Sequence, residues 1–276
     1  MPSKRFWRVA GVRRPRAKVA PPGAGPGRGG PRPCASSVRR AGGEAGRPRV
    51  LIFDADDTLW ENNVYFEQAI EHFYDLLGPA ARDRGAARTC INRQEHRAIA
   101  EGGYGLASFQ VALERAWQEL APATWSPAAI ASITGLAATI AARPIEFLPG
   151  ALDVLEYLAP RHRLFLLTKG NHAEQSGKIA RSGARRLFER VHVVPEKHVG
   201  IYQQRLSDCA APPDECWMIG NSPKSDINPA LAAGMNAVFI PHPHTWVLEH
   251  EELTYACAPG RQCLVLDRLA DLRDHF

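Results

Sequence analysis

No Cys-x-x-Cys pair occurs in this chain. Its six cysteines, Cys34, Cys90, Cys209, Cys216, Cys257 and Cys263, are scattered, which argues against a zinc module or a small stapled scaffold and for reduced thiols. No apolar run approaches the length of a membrane span, and the N-terminus lacks the apolar stretch of a secretory signal. No internal repeat is visible. A cytoplasmic, globular chain is the expectation. With 276 residues, 45% of them apolar, it can bury a core for one domain with a sizeable insert, or for two domains.

Acids are almost missing from the first 49 residues, which hold 13 of the 34 Lys and Arg but only one acid, Glu44. That is +12 locally and −7 on the rest. The stretch is rich in Pro, Gly and Ala with little periodic apolar content, so residues 1–48 are expected to be a disordered basic tail. Its charge would suit nucleic acid or an anionic surface, but a solvated extension is the preferred reading, and a nucleic-acid partner is not expected of the rest of the chain.

Basic residues are also lacking between Arg49 and Trp60, in RVLIFDADDTLW. Val50 to Phe53 reads as a strand buried on both faces of a parallel sheet, ending in Asp54, Asp56 and Asp57. Open α/β sheets bind ligands at the carboxyl ends of their strands, and carboxylates crowded there call for a divalent cation.

Helical spacing follows. Phe66, Ile70, Phe73 and Leu77 stop at Gly78-Pro79; Leu106, Phe109, Leu113, Trp117 and Leu120 stop before Pro122; Ser126-Pro127 opens a third helix carrying Ile130, Ile133, Leu136 and Ile140. Residues 64–145 thus read as an inserted helical unit, with its aromatic stripes as core and Gly102-Gly103-Tyr104-Gly105 as an interhelical turn or a hinge or specificity loop facing the site. Residues 49–63 and 146–276 read as the main domain, where strands at Leu164–Leu167, Val191–Val194, Cys216–Ile219, Ala237–Ile240 and Cys263–Leu266 alternate with helices, the last helix bearing Leu269 and Leu272. The fold expected is α/β, a doubly wound parallel sheet.

Asp54 and Asp56, Thr168, Lys197, Asn221 and Asp226 would all emerge on one edge of that sheet. A carboxylate attacking phosphorus needs a metal to screen two anions, a hydroxyl and an ammonium on the phosphoryl oxygens, and a second acid for the leaving group. Each need has one candidate.

The four segments FDADDT, LLT ending at Thr168, Lys197, and GNSPKSD from Gly220 to Asp226 together resemble the haloacid dehalogenase superfamily, in its phosphatase branch with a helical cap, over Arg49 to Phe276. The resemblance implies a Rossmann-like, magnesium-dependent hydrolase of small phosphate monoesters, a monomer or homodimer. Asp54 would be its nucleophile, forming an aspartyl phosphate, and Asp56 its acid and base. Thr58, Thr168, Lys169 and Lys197 would bind the phosphoryl group. Magnesium would be held by Asp54, the Asp56 carbonyl and Asp226, with Asn221 at the place of a common further acid. Asp57, where such proteins often have Gly, is expected to be solvated or cap-facing, and Asn171 to touch substrate or cap a helix. The Pro-rich loop from Pro241 to Trp246 falls near the same edge and is open to contact substrate, with His242 and His244 expected at the surface; Lys169 and Lys224 would steer anions or stand as solvated charges. Two other functions fit: a dehalogenase using Asp54 on carbon, and a non-enzymatic binding protein using the basic tail. Asp56 argues for ester cleavage, because an alkoxide leaving group needs an acid and a halide does not.

Overall fold

The computed structural model describes residues 47–254 and 260–276. Apart from Arg47 and Pro48, the tail expected to be disordered lies outside them. Strand β1 (Val50–Phe53) is fully buried at the middle of a six-stranded parallel sheet of order β3-β2-β1-β4-β5-β6. It pairs with β2 (Arg163–Lys169) and β4 (Cys216–Gly220), so that Phe53 sits opposite Leu166 and Ile219. Strands β3 (Arg190–Val194), β5 (Asn236–Phe239) and β6 (Cys263–Val265) complete the sheet.

The apolar runs are continuous because both faces are covered. Leu51, Phe53, Leu164, Leu166 and Ile219 pack on one side with Val154 and Leu155 of helix α5 (Ala151–Leu158). Val50, Ile52, Phe165, Leu167 and Met218 pack on the other with Tyr202 of helix α7 (Val199–Cys209). Successive residues of one strand therefore feed two cores, as the two-residue period of a strand requires. Helices α6 (His172–Ser182) and α8 (Asn228–Ala232) fill the remaining crossovers.

Between β1 and α5 stand four helices, where the sequence pattern gives three: α1 (Asn63–Leu77), α2 (Arg84–Gly102), α3 (Leu106–Leu120) and α4 (Pro127–Ala141). They share a core of their own around Phe73, Ile91, Leu113, Trp117 and Ile133. Helix α2 leaves no apolar stripe in the sequence because much of its buried side is small, Ala87, Cys90 and Ala98, and includes the acid Glu95. Asp83 caps it by accepting from the Ala86 amide. Ser126 caps α4 in the expected way, accepting from Ala129. At the chain end the expected helix is instead a tight 3-10 segment, Leu269–Asp274, with Leu269 and Leu272 buried against the sheet.

The two segments that join this insert to the sheet lie side by side. Trp60 and Phe147 form an antiparallel bridge, the Glu61 amide donates to the Glu146 carbonyl, and the Leu148 amide donates to the Leu59 carbonyl, both at 2.9 Å.

Candidate active site

Asp54 follows β1 and still donates its amide to Ile219 of β4, so its side chain is carried by the most buried strand of the sheet. The chain then turns tightly, with the amides of Leu59 and Trp60 folding back on the Ala55 carbonyl. The Thr58 hydroxyl donates to Asp54 Oδ2 at 2.9 Å, and Lys197 Nζ reaches Asp54 Oδ1 at 2.5 Å and Asp226 Oδ1 at 2.7 Å. All three charged groups are buried.

Burial works against the Lys197 ammonium, but Asp226 and Asp54 outweigh it and hold its pKa above the ordinary lysine value. Asp226 is pushed up to about 7, by burial first and by the charge of Asp54, against the pull of Lys197. Two carboxylates around one ammonium leave an excess negative charge in a water-poor place. Hard oxygen donors short of positive charge are the chemistry a divalent cation such as magnesium takes, so these residues fit one.

Asp56 is organised differently. Trp60 Nε1 donates to Oδ1 at 2.8 Å, while Gln175 Nε2 at 2.8 Å and Lys178 Nζ at 2.7 Å converge on Oδ2. Burial alone would raise this carboxyl, but Lys178, then Gln175 and Trp60, hold it below the ordinary carboxylate range. Lys178 is fixed in turn by the Asn62 amide oxygen at 2.7 Å. Neither Gln175 nor Lys178 was singled out from the sequence. Their signal was a three-residue spacing on the helix after the Thr168 segment, which puts both on one face of α6.

Thr168 is buried, lines the cavity and lies 3.5 Å from Gln175 Oε1. Lys169 Nζ is engaged by Glu249 at 2.6 Å, Ser225 at 2.8 Å, Tyr104 at 3.2 Å and Glu196 at 3.3 Å, so its charge is held by protein partners rather than by water. Asn171 caps α6 through the Ala173 and Glu174 amides. Asn221 donates its backbone amide to the Thr58 hydroxyl at 3.1 Å and its side-chain amide to Thr245 Oγ1 at 3.0 Å, which ties it to neighbours on both sides. Thr58 is not on the cavity wall; its hydroxyl stands behind Asp54.

Of the two expected places for Asp57, solvated or cap-facing, it takes the second. It is buried with a left-handed φ of 59°, and its carboxylate accepts the amides of Asn62 and Asn63, unpaired donors at the start of α1. Burial raises its pKa to about 8. The His242 side chain is also buried, with Nε2 3.4 Å from Glu61 and Nδ1 3.9 Å from Asp57, while Lys224 is exposed as expected. Asp57, Glu61 and His242 bring possible ligand atoms within 4.8 Å of one another.

These groups open on a cavity of about 150 Å³, walled on the far side by Phe66, Glu95, Ile99, Tyr104 and Phe109 of the helical insert. Seven carboxylates line it (Asp54, Asp56, Asp57, Glu95, Glu174, Asp226, Glu249) against three lysines. Tyr104 and Trp246 lie in the two loops for which a place at the site was open, whereas Glu95 and Glu249 were not anticipated as cavity residues, because contact between insert and sheet edge carries no sequence period.

A parallel sheet with buried charged groups gathered at its strand ends defines a protein of the Rossmann-like α/β class. Residues 48–234 match the family of haloacid dehalogenase-like hydrolases, and the chain belongs to that family. No curated protein sequence matches it. Among solved structures it is similar to a haloacid dehalogenase-like family hydrolase from Xanthomonas campestris, at 26% identity and a TM-score of 0.68 over 82% of this chain and 92% of that one. It is similar in fold to the L-2-haloacid dehalogenase from Xanthobacter autotrophicus (18% identity, TM-score 0.55, 82% and 96% covered). The same holds for the HAD-hydrolase YfnB from Bacillus subtilis bound to magnesium (19%, 0.52, 71% and 87%).

Proposed function

We propose that this hydrolase cleaves small phosphate monoesters in a reducing, cytoplasmic setting, with the helical insert as its cap. The observation that carries the reading is Asp56: a second carboxylate on the cavity wall, held by three donors two residues beyond Asp54. In this reading an Asp54 oxygen attacks phosphorus and the ester P–O bond breaks while the protonated Asp56 carboxyl gives its proton to the leaving oxygen, giving an aspartyl phosphate and an alcohol. Water, deprotonated by Asp56, then attacks phosphorus, freeing phosphate and restoring Asp54. Thr168 and Lys197 hold phosphoryl oxygens, and Thr58 fixes the Asp54 oxygen that does not attack. Asp54, Asp226 and the Asp56 carbonyl would hold magnesium, and bound magnesium would screen the repulsion between carboxylate and phosphoryl group. The ion in the B. subtilis relative supports that role.

The names of several solved relatives favour a second reading, 2-haloacid dehalogenation, in which Asp54 displaces halide from carbon. Against it stands the presence of Asp56 on the cavity wall, which halide departure does not need. Assays of p-nitrophenyl phosphate, a panel of alkyl and sugar phosphates and 2-chloropropionate, each with and without magnesium, separate the two. Magnesium-dependent phosphate release supports ester hydrolysis; magnesium-independent chloride release without it moves the assignment to carbon.

A further inference from the structure

The insert side of the cavity has a composition that ester cleavage does not explain. Phe66 and Phe109 meet edge to face at 4.9 Å, and Tyr104 meets Trp246 in the same way at 6.1 Å. Glu95 lines the same cavity as these rings and is buried, with Trp246 as hydrogen-bond donor. Burial raises the Glu95 carboxyl to about 7, and its positive neighbour Arg88 is itself gripped by Glu67 through two 2.7 Å bonds.

The positive charge of the cavity wall is already committed. Lys197 is shared by Asp54 and Asp226, Lys178 is held by Asp56, and Lys169 by Glu249 and Glu196. Lys169 also covers one face of Tyr104, 4.5 Å from the ring centre. Glu95 and Glu174 on the outer wall have no lysine of the wall beside them. Rings rich in π-density around a carboxylate attract a cation and repel an anion, and the attraction grows when the site is poor in water.

We propose that this aromatic and carboxylate pocket is a subsite for a positively charged leaving group, so that the preferred esters are amino- or trimethylammonio-alkyl phosphates. The proposal rests on the phosphatase reading above for the reaction, and on Phe66, Phe109, Trp246 and Glu95 for the specificity. The phosphoryl end would lie at Asp54, and the cation would lie among the rings, where it favours the ionised form of Glu95.

The test compares phosphocholine with 3,3-dimethylbutyl phosphate, which has the same shape without the charge, and uses p-nitrophenyl phosphate as a reference ester. The expected result is a kcat/KM at least about tenfold higher for phosphocholine. Glu95→Gln and, separately, Trp246→Leu should each shrink that ratio several-fold, and calorimetry should show choline binding the unmodified protein more tightly than 3,3-dimethylbutanol. If p-nitrophenyl phosphate is hydrolysed but the charged and neutral esters are equal and choline does not bind, the subsite is overturned and the phosphatase reading stands. If no ester is hydrolysed but choline binds and loses affinity in both variants, the subsite stands and the reaction must be reassigned.

Discussion

Lys178 lies 122 residues from Asp56 along the chain and places its ammonium 2.7 Å from the Asp56 carboxylate. The pair makes Asp56 an ionised base before substrate arrives. That suits the water-activating half of the proposed reaction directly, whereas the acid half requires the Lys178 contact to loosen.

Lys178→Met should therefore move the acidic limb of the kcat profile to higher pH. With the ammonium gone, burial is left to raise the Asp56 carboxyl, so protonation would remove the base at a pH where the unmodified protein keeps it. A pH–rate profile from 4 to 9 checks this, and an unmoved acidic limb would remove Lys178 from the control of Asp56.

Asp54→Asn should lower turnover by roughly 10³-fold or more, because the amide is a poor nucleophile. Its oxygen can still accept from Thr58, so the far-ultraviolet circular dichroism should be unchanged. Full turnover in the variant would place the nucleophile elsewhere.

Asp226→Ala should abolish most of the stabilisation that magnesium confers. A ligand at 100 times its dissociation constant adds about 2.7 kcal/mol to a folded protein, which thermal unfolding with and without the ion reads without any substrate. A magnesium-dependent rise in Tm as large in the variant as in the unmodified protein would exclude Asp226 from the ion's site.

Glu95 should make the fold less stable as pH rises. Its folded pKa, about 7, lies above the unfolded value near 4.5, so its contribution is fully present below pH 4.5 and is lost as pH climbs through 7. Urea unfolding at pH 5 and pH 8 should show a smaller difference for Glu95→Gln than for the unmodified protein. Equal differences would mean that Glu95 is ionised in the fold at both values.

The sequence carried the sheet well, because a strand buried on two faces is a continuous apolar run and each run ends where its polar residue must emerge. Asp54, Thr168, Lys197 and Asp226 were legible for that reason. Helix α2 was not, since Ala87, Cys90 and Ala98 bury too little apolar surface to leave a stripe. The burial of Asp57 was not legible because it depends on the start of α1 folding over it, nor were the partners of Asp56, because a lysine on a distant helix looks the same in sequence whether it meets water or a carboxylate.

The bridge between Trp60 and Phe147 fixes where the insert leaves and rejoins the sheet. Its two stems stand one hydrogen bond apart, so the 80-odd residues between them form a closed excursion that the β1–α5 crossover does not need for its own threading. A short loop could replace them without any strand changing place. The order of the strands and the choice of what reaches their ends are therefore written in different stretches of the chain, joined where Asn62 and Tyr104 hold lysines of the cavity wall.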